Sequence, residues 1–245
     1  MLWKQSLLCL FSMKEDSSSV VPPAPESHQH LSDRSTMSVS SAASSKSSLP
    51  RILCLHGKFQ SASSFANKIG GARRKLQRVY DLHFLDAPLL VDDSPFGNAD
   101  ARAWWIRDEQ NRHTLVPEAI EYVRKETMGK EYCAIIGFSQ GGTLATALTL
   151  SGALRGIQAV ITAGAPDAPD VFRQIETIPE SLNIPELHLA GETDDLVPPS
   201  STQQLCERAG GGTFVMHEKG HLFPTKAAIV NHVLEFLQQH IQVDA

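Results

Sequence analysis

The sequence predicts an α/β fold with a mostly parallel central sheet and helices on both faces. Three observations carry this. Short apolar runs alternate with helix-like segments from residue 51 to residue 239. Several runs are apolar at nearly every position, as strands covered on both faces must be. The runs are stopped by Gly, Pro or Asp, the residues that turn a chain.

In order, residues 51–56 ("RILCLH") form a first strand, ended by Gly57. Residues 61–79 read as helical, interrupted at Gly70-Gly71. Residues 81–86 are the next strand, stopped by Ala87-Pro88. A polar stretch, 88–113, holds Trp104 and Trp105. Residues 115–127 are helical, with Pro117 acceptable in the first turn. Strand 132–137, helix 140–150, strand 157–163 and a Pro/Asp-rich loop come next. Strand 186–190, helix 200–208, strand 213–217 and helix 225–239 complete the chain.

Residues 1–49 lie outside this pattern. They contain 15 serines, with Pro22, Pro23 and Pro25, and show no apolar periodicity. Such a composition buries too little apolar surface to offset its ordering entropy. A disordered arm is expected at 1–49 and one domain at 50–245. The arm has equal numbers of basic and acidic side chains, so the net charge of −5 belongs to the domain. That balance gives no footprint for nucleic acid. The one basic cluster, Arg73, Arg74, Lys75 and Arg78, is expected to be a solvated helix face.

No apolar run approaches the ~20 residues of a membrane span. The first residues, "MLWKQSLLCLF", have only a short apolar stretch, marginal for a signal peptide. Cys9, Cys54, Cys133 and Cys206 form no CxxC pair, and Cys54 and Cys133 fall in strand runs. A reducing, cytoplasmic setting is the expectation, with organelle targeting by the arm as the alternative. Ten histidines show no HExxH or Cys/His ligand spacing, so no metal is expected; "HQH" at 28–30 reads as polar filler.

In parallel α/β sheets, ligands bind beyond the carboxyl ends of the strands. At one such end stands Gly137-Phe138-Ser139-Gln140-Gly141, a G-x-S-x-G between strand and helix. A tight turn there lifts the serine hydroxyl clear of the backbone and crowds the positions two before and two after it. The following helix points its N-terminus at the serine. Ser139 is therefore the candidate nucleophile.

A serine nucleophile needs a base and an orienting carboxylate, which in α/β-hydrolase order come later as acid, then histidine. Of His188, His217, His221, His232 and His240, the first two sit in strands and the last two in the final helix. His221, in the loop "EKGHLFP", is the candidate base. The acid should follow strand 186–190, where Glu192, Asp194 and Asp195 stand. Spacing does not cleanly separate Asp194 from Asp195, although Asp195 is expected at the surface. For the oxyanion, one backbone N–H is expected from Gln140 and another from the loop after the first strand, at Lys58 or, alternatively, Phe59. Phe59, Trp104 and Trp105 are candidate walls of an acyl pocket, with plain packing as the alternative role for the two tryptophans, and His56 is a structural hydrogen-bonding residue.

"LCLHGKFQSASSF", "GGARRKL", "FLDAP", "GFSQGG", "GETDDLVP" and "KGHLFP" together resemble the FSH-type serine hydrolases. These are small α/β-hydrolases related to ovarian-cancer-associated protein 2. The likeness runs from about residue 50 to 240. It implies an α/β-hydrolase domain with a small lid or none and no cofactor. It also implies cleavage of small acyl esters, and it places the acid at Asp194. "KGH" stands where Gly-Gly-His is commoner. The expected reaction is ester hydrolysis through a Ser139–Asp194–His221 triad and an acyl-enzyme. A thioesterase with the same residues is the first alternative, and a non-catalytic binding scaffold the second. The sequence leaves the oligomeric state open.

Overall fold

The computed structural model describes residues 49–92, 99–178 and 183–242. The expected arm at 1–49, its "HQH" and Cys9 lie outside the described residues, apart from Leu49. The chain enters the fold through β1 (Arg51–Leu55), α1 (Ala62–Lys68), α2 (Gly70–Leu76) and β2 (Asp81–Leu85). Two short ribbons follow. One pairs β3 (Leu89–Leu90) with β4 (Arg102–Ala103), the other β5 (Ile106–Arg107) with β6 (His113–Thr114). Next come α3 (Val116–Glu126), β7 (Ala134–Phe138), α4 (Gln140–Leu150), β8 (Ala159–Ala163) and α5 (Pro169–Phe172). The fold closes with β9 (Glu186–Gly191), α6 (Pro199–Arg208), β10 (Thr213–His217) and α7 (Ala227–His240).

Six strands form one sheet in the order β10-β9-β8-β7-β1-β2, and every ladder in it is parallel. The expectation of a mostly parallel sheet is met throughout. β7 and β8 are buried at every position, which is why their sequences are apolar without alternation. The edge strands β2 and β10 are half-exposed and carry polar residues.

Successive side chains of a strand point to opposite faces, and the two faces take different helices. Ile52, Cys54, Ile136 and Ile161 pack against α1, α2 and α7, through Phe65, Leu76, Val233 and Leu237. Leu53, Leu55, Ile135 and Val160 pack against α3 and α4, through Val123, Leu144 and Leu148. Leu205 of α6 meets Ala147 and Leu150 of α4. Residues 141–150 of α4 are all buried, so its run of small and apolar residues has no polar face.

The second face also holds a polar cluster. The Glu186 carboxylate accepts from the Thr146 hydroxyl (2.8 Å) and lies 3.2 Å from His188 Nε2. His188 Nδ1 is hydrogen-bonded to Thr162 Oγ1 at 2.9 Å. His188 is thus a buried core histidine, as its position in a strand suggested, hydrogen-bonded through Nδ1 while its Nε2 makes no hydrogen bond.

The helical stretch 61–79 breaks at Ile69, the shared boundary of α1 and α2, one residue before the expected Gly70-Gly71. Ser61 caps α1 in a reciprocal capping box with Ser64. α5 lies inside the stretch expected to be loop. Its four residues are too short to show helical periodicity. The basic cluster lies on and just after α2, where Lys75 donates to Asn231 of α7. No helix among the described residues is long and apolar enough to cross a membrane.

Candidate active site

β7 ends and α4 begins at Ser139, whose backbone is held at φ 51°, ψ −119°. A non-glycine residue at positive φ is strained, and such strain gathers at functional sites. Two close approaches hold the turn. A Cβ on Gly137 would lie 2.3 Å from the Gly141 carbonyl oxygen. One on Gly141 would lie 2.3 Å from Leu55 O and 2.5 Å from His56 O. The Ser139 N–H donates to Ala163 O of β8 (2.9 Å).

Two later strand ends supply the partners. The loop after β10 brings His221 over the serine, with Nε2 3.0 Å from Ser139 Oγ. His221 Nδ1 lies 2.7 Å from Asp194 Oδ2, in the loop after β9. Because Asp194 only accepts, Nδ1 donates to it and Nε2 is left to accept from the serine hydroxyl. Asp194 Oδ1 accepts from the N–H groups of Leu196 (3.0 Å) and Val197 (2.8 Å). The carboxylate is almost wholly buried, its side chain 1% exposed. Asp195 and Glu192 face solvent. Among the candidate acids, Asp194 alone meets the histidine. His217 is buried in β10, and His232 and His240 sit on α7.

The loop after β1 lies opposite. Its Gly57 N–H donates to Gln60 Oε1 (3.1 Å) and its Phe59 N–H to Arg102 O (2.8 Å). The Phe59 amide, the alternative oxyanion donor, is therefore engaged with β4. The Gln140 N–H is the first of α4 and has no acceptor within the helix.

A cavity of about 650 Å³ opens above Ser139. Phe59, Trp105, Ile106, Phe138, Leu196 and Val197 give it an apolar wall. Phe59 stands where expected. Trp104 does not, and its expected place in the pocket is corrected: it is fully buried, with Nε1 donating to His56 O (2.8 Å). Trp105, named with it as a candidate wall, does line the cavity. The two are held by the Gln140 side chain, whose Oε1 accepts from Trp104 N (3.0 Å) while Nε2 donates to Trp105 O (2.9 Å). Sequence reasoning used only the Gln140 main chain and missed this clasp. A glutamine beside a nucleophile was the available signal.

His56 completes the scaffold as a structural residue. Its Nδ1–H donates to Gly57 O (2.8 Å) and its Nε2 accepts from Ala87 N (3.0 Å). Burial holds its pKa below the ordinary value. The unfolded chain therefore takes up this proton first, near pH 6.5. The contribution of His56 to stability is complete above that pH and declines as pH falls below it. Urea unfolding at pH 7.5 and 5.5 is expected to show a drop of at most about 1.4 kcal/mol per pH unit from this group. The drop should be smaller in His56→Gln.

Burial also raises the thiol of Cys54, and that of Cys133 to about 11. Both behave as core hydrophobes rather than nucleophiles. Among the described residues, no group of three or more His, Cys, Asp or Glu side chains is placed to hold a metal ion.

Parallel strands delivering a serine on a strained elbow, with a histidine and a buried aspartate hydrogen-bonded in line behind it, define an α/β-hydrolase. The family model described as Serine hydrolase (FSH1) matches residues 45–233. The chain belongs to this family, and it is a carboxylic ester hydrolase. Esterase OVCA2 of Bos taurus is 29% identical over 223 residues, covering 78% of this chain and 96% of that one. Esterase AAEL000016 of Aedes aegypti is 25% identical over 230 residues, covering 85% and 82%. Among solved structures, Zea mays acyl-protein thioesterase 2 superposes with a TM-score of 0.59 at 18% identity, over 78% of this chain and 94% of that chain. At that identity the likeness concerns the fold.

Proposed function

We propose that residues 50–245 form a single hydrolase domain that cleaves carboxylic acyl esters through an acyl-enzyme on Ser139. The observation that carries this reading is the continuous hydrogen-bonded line Ser139–His221–Asp194 at the floor of an apolar cleft. Ser139 Oγ attacks the acyl carbonyl carbon while His221 Nε2 takes its proton. Asp194 keeps the Nδ1–H tautomer and stabilises the imidazolium. The main-chain N–H groups of Gln140 and Lys58 receive the oxyanion. The Lys58 assignment is supported by the engagement of both neighbouring amides elsewhere. The carbonyl re-forms, the C–O bond to the alcohol breaks, and His221 returns the proton to the leaving oxygen. Water, deprotonated by His221, then attacks the acyl-serine and releases the acid and Ser139.

The acyl chain lies against Trp105, Ile106, Leu196 and Val197. A thioester places the same demands on these residues, with a thiol as leaving group. The unpaired thiols of Cys54, Cys133 and Cys206 fit a reducing compartment such as the cytoplasm. The test is turnover of p-nitrophenyl esters of graded chain length by the native protein and by Ser139→Ala. Native activity is expected to fall by at least about 10⁴-fold in the variant. Undiminished turnover would sink the assignment. A fluorophosphonate probe should label the native serine, and failure to label would favour a binding scaffold. Matched esters and thioesters of one acid distinguish the two hydrolase readings.

A further inference from the structure

The cleft above Ser139 is charged in one sense. Lys58, Lys68 and Arg107 line it, and among the described residues no Asp or Glu does, in a chain whose net charge is −5. Neighbouring carboxylates are held by other partners. Asp108 pairs with Arg112, Asp170 with His113, and Asp100 with Arg102. Among the described residues, neither Lys58 nor Arg107 has a carboxylate within 4.0 Å. Arg107 Nη1 donates to the carbonyl and side-chain oxygens of Asn111 (3.2 and 3.0 Å), which aim the guanidinium without neutralising it. Lys58 Nζ rests 4.7 Å from the Phe59 ring centroid, on the wall of the cleft.

We infer that the substrate of this site is an acyl ester or thioester that itself carries an anion, a carboxylate or phosphate, held at the cleft mouth by Lys58 and Arg107. Two cations facing one space repel each other, and an anion between them relieves this. The pKa of Lys58 is lowered, first by desolvation and then by the charge of Arg107, so the two sense each other across the cleft. The apolar wall and the cationic mouth together fit an amphiphilic substrate. The inference rests on the esterase reading and adds the charge of the substrate to it.

The anion could sit on the acyl chain or on the leaving group, and two pairs of probes distinguish these. p-Nitrophenyl pentanoate and the p-nitrophenyl monoester of glutaric acid have acyl chains of equal length, neutral and anionic. Butyryl thioesters of pantetheine and of phosphopantetheine differ by a phosphate on the leaving thiol. The readout is the ratio of kcat/KM, anionic over neutral, within each pair, corrected for uncatalysed hydrolysis.

At least one ratio is expected to reach roughly tenfold at low salt, since an exposed ion pair contributes up to about fivefold. It should shrink as salt is added. Arg107→Gln should lower it by about fivefold, and Arg107→Glu should lower it further, below unity. The pair that responds shows where the anion sits. Ratios at or below unity in both pairs, or a ratio unmoved by Arg107→Glu, overturn the inference while leaving the esterase reading intact. Absence of turnover on every probe overturns both.

Discussion

Asp194→Asn is expected to lower kcat by about 10⁴-fold while leaving the protein folded. The asparagine can keep its Oδ1 toward the N–H groups of Leu196 and Val197, so the loop after β9 retains its shape. The change falls on the other side of the group. Asp194 Oδ2, 2.7 Å from His221 Nδ1, becomes an NH₂ donor. It then faces Nδ1 as a donor and favours the tautomer with the proton on Nε2. That nitrogen lies 3.0 Å from Ser139 Oγ and must accept the serine proton. The base is thus present, in place and wrongly protonated. Steady-state kinetics on p-nitrophenyl butyrate, beside a circular dichroism melt, checks this. Asp195→Asn, on a solvent-facing side chain, should leave kcat within about twofold. Equal losses in the two variants would overturn the assignment of the acid.

Gly141→Ala is expected to cost more than about 4 kcal/mol of stability, or to prevent folding, because it forces a methyl group into backbone. Its Cβ would sit 2.3 Å from Leu55 O and 2.5 Å from His56 O, both main-chain atoms at the end of β1. A flexible side chain could swing aside, whereas these carbonyls cannot. α4 would have to lift from β1, carrying the elbow with it. Gly70→Ala is the control. There the nearest atom to the added Cβ is the end of the Arg74 side chain at 3.8 Å. That change should be neutral or slightly stabilising in α2. Urea midpoints of the two variants measure the contrast.

Much of this architecture was legible in the sequence because the buried strands are continuous. "AIIGF" is apolar throughout and "AVITA" at every position but Thr162, as a doubly covered sheet requires. The same regularity made strand ends visible and, with them, Ser139 and His221, whereas the choice of Asp194 over Asp195 came from the family resemblance and not from spacing. The region of the two ribbons was not legible. Strands of two residues have no period to detect, and their pairing partners lie 6 to 14 positions apart. Trp104 and Trp105 show the limit at its sharpest. Adjacent residues of one type face opposite ways, one into the core and one into the cleft. Gln140, far along the chain, clasps the main chain of both. Nor does any local pattern say that β1 lies between β7 and β2, because ladder order is set by packing far along the chain.

The separation of the reacting groups along the chain has a consequence for biosynthesis. Ser139 precedes His221 by 82 positions, and Asp194 lies between them. A ribosome extends the polypeptide from its amino end. On the proposed mechanism, the nucleophile is therefore made long before the group that activates it. Until β9 and β10 have joined the growing sheet, the emerging chain carries an ordinary serine hydroxyl with no base within reach. If that mechanism holds, the nascent polypeptide has no activated serine, and hydrolytic competence arrives only after its last strand.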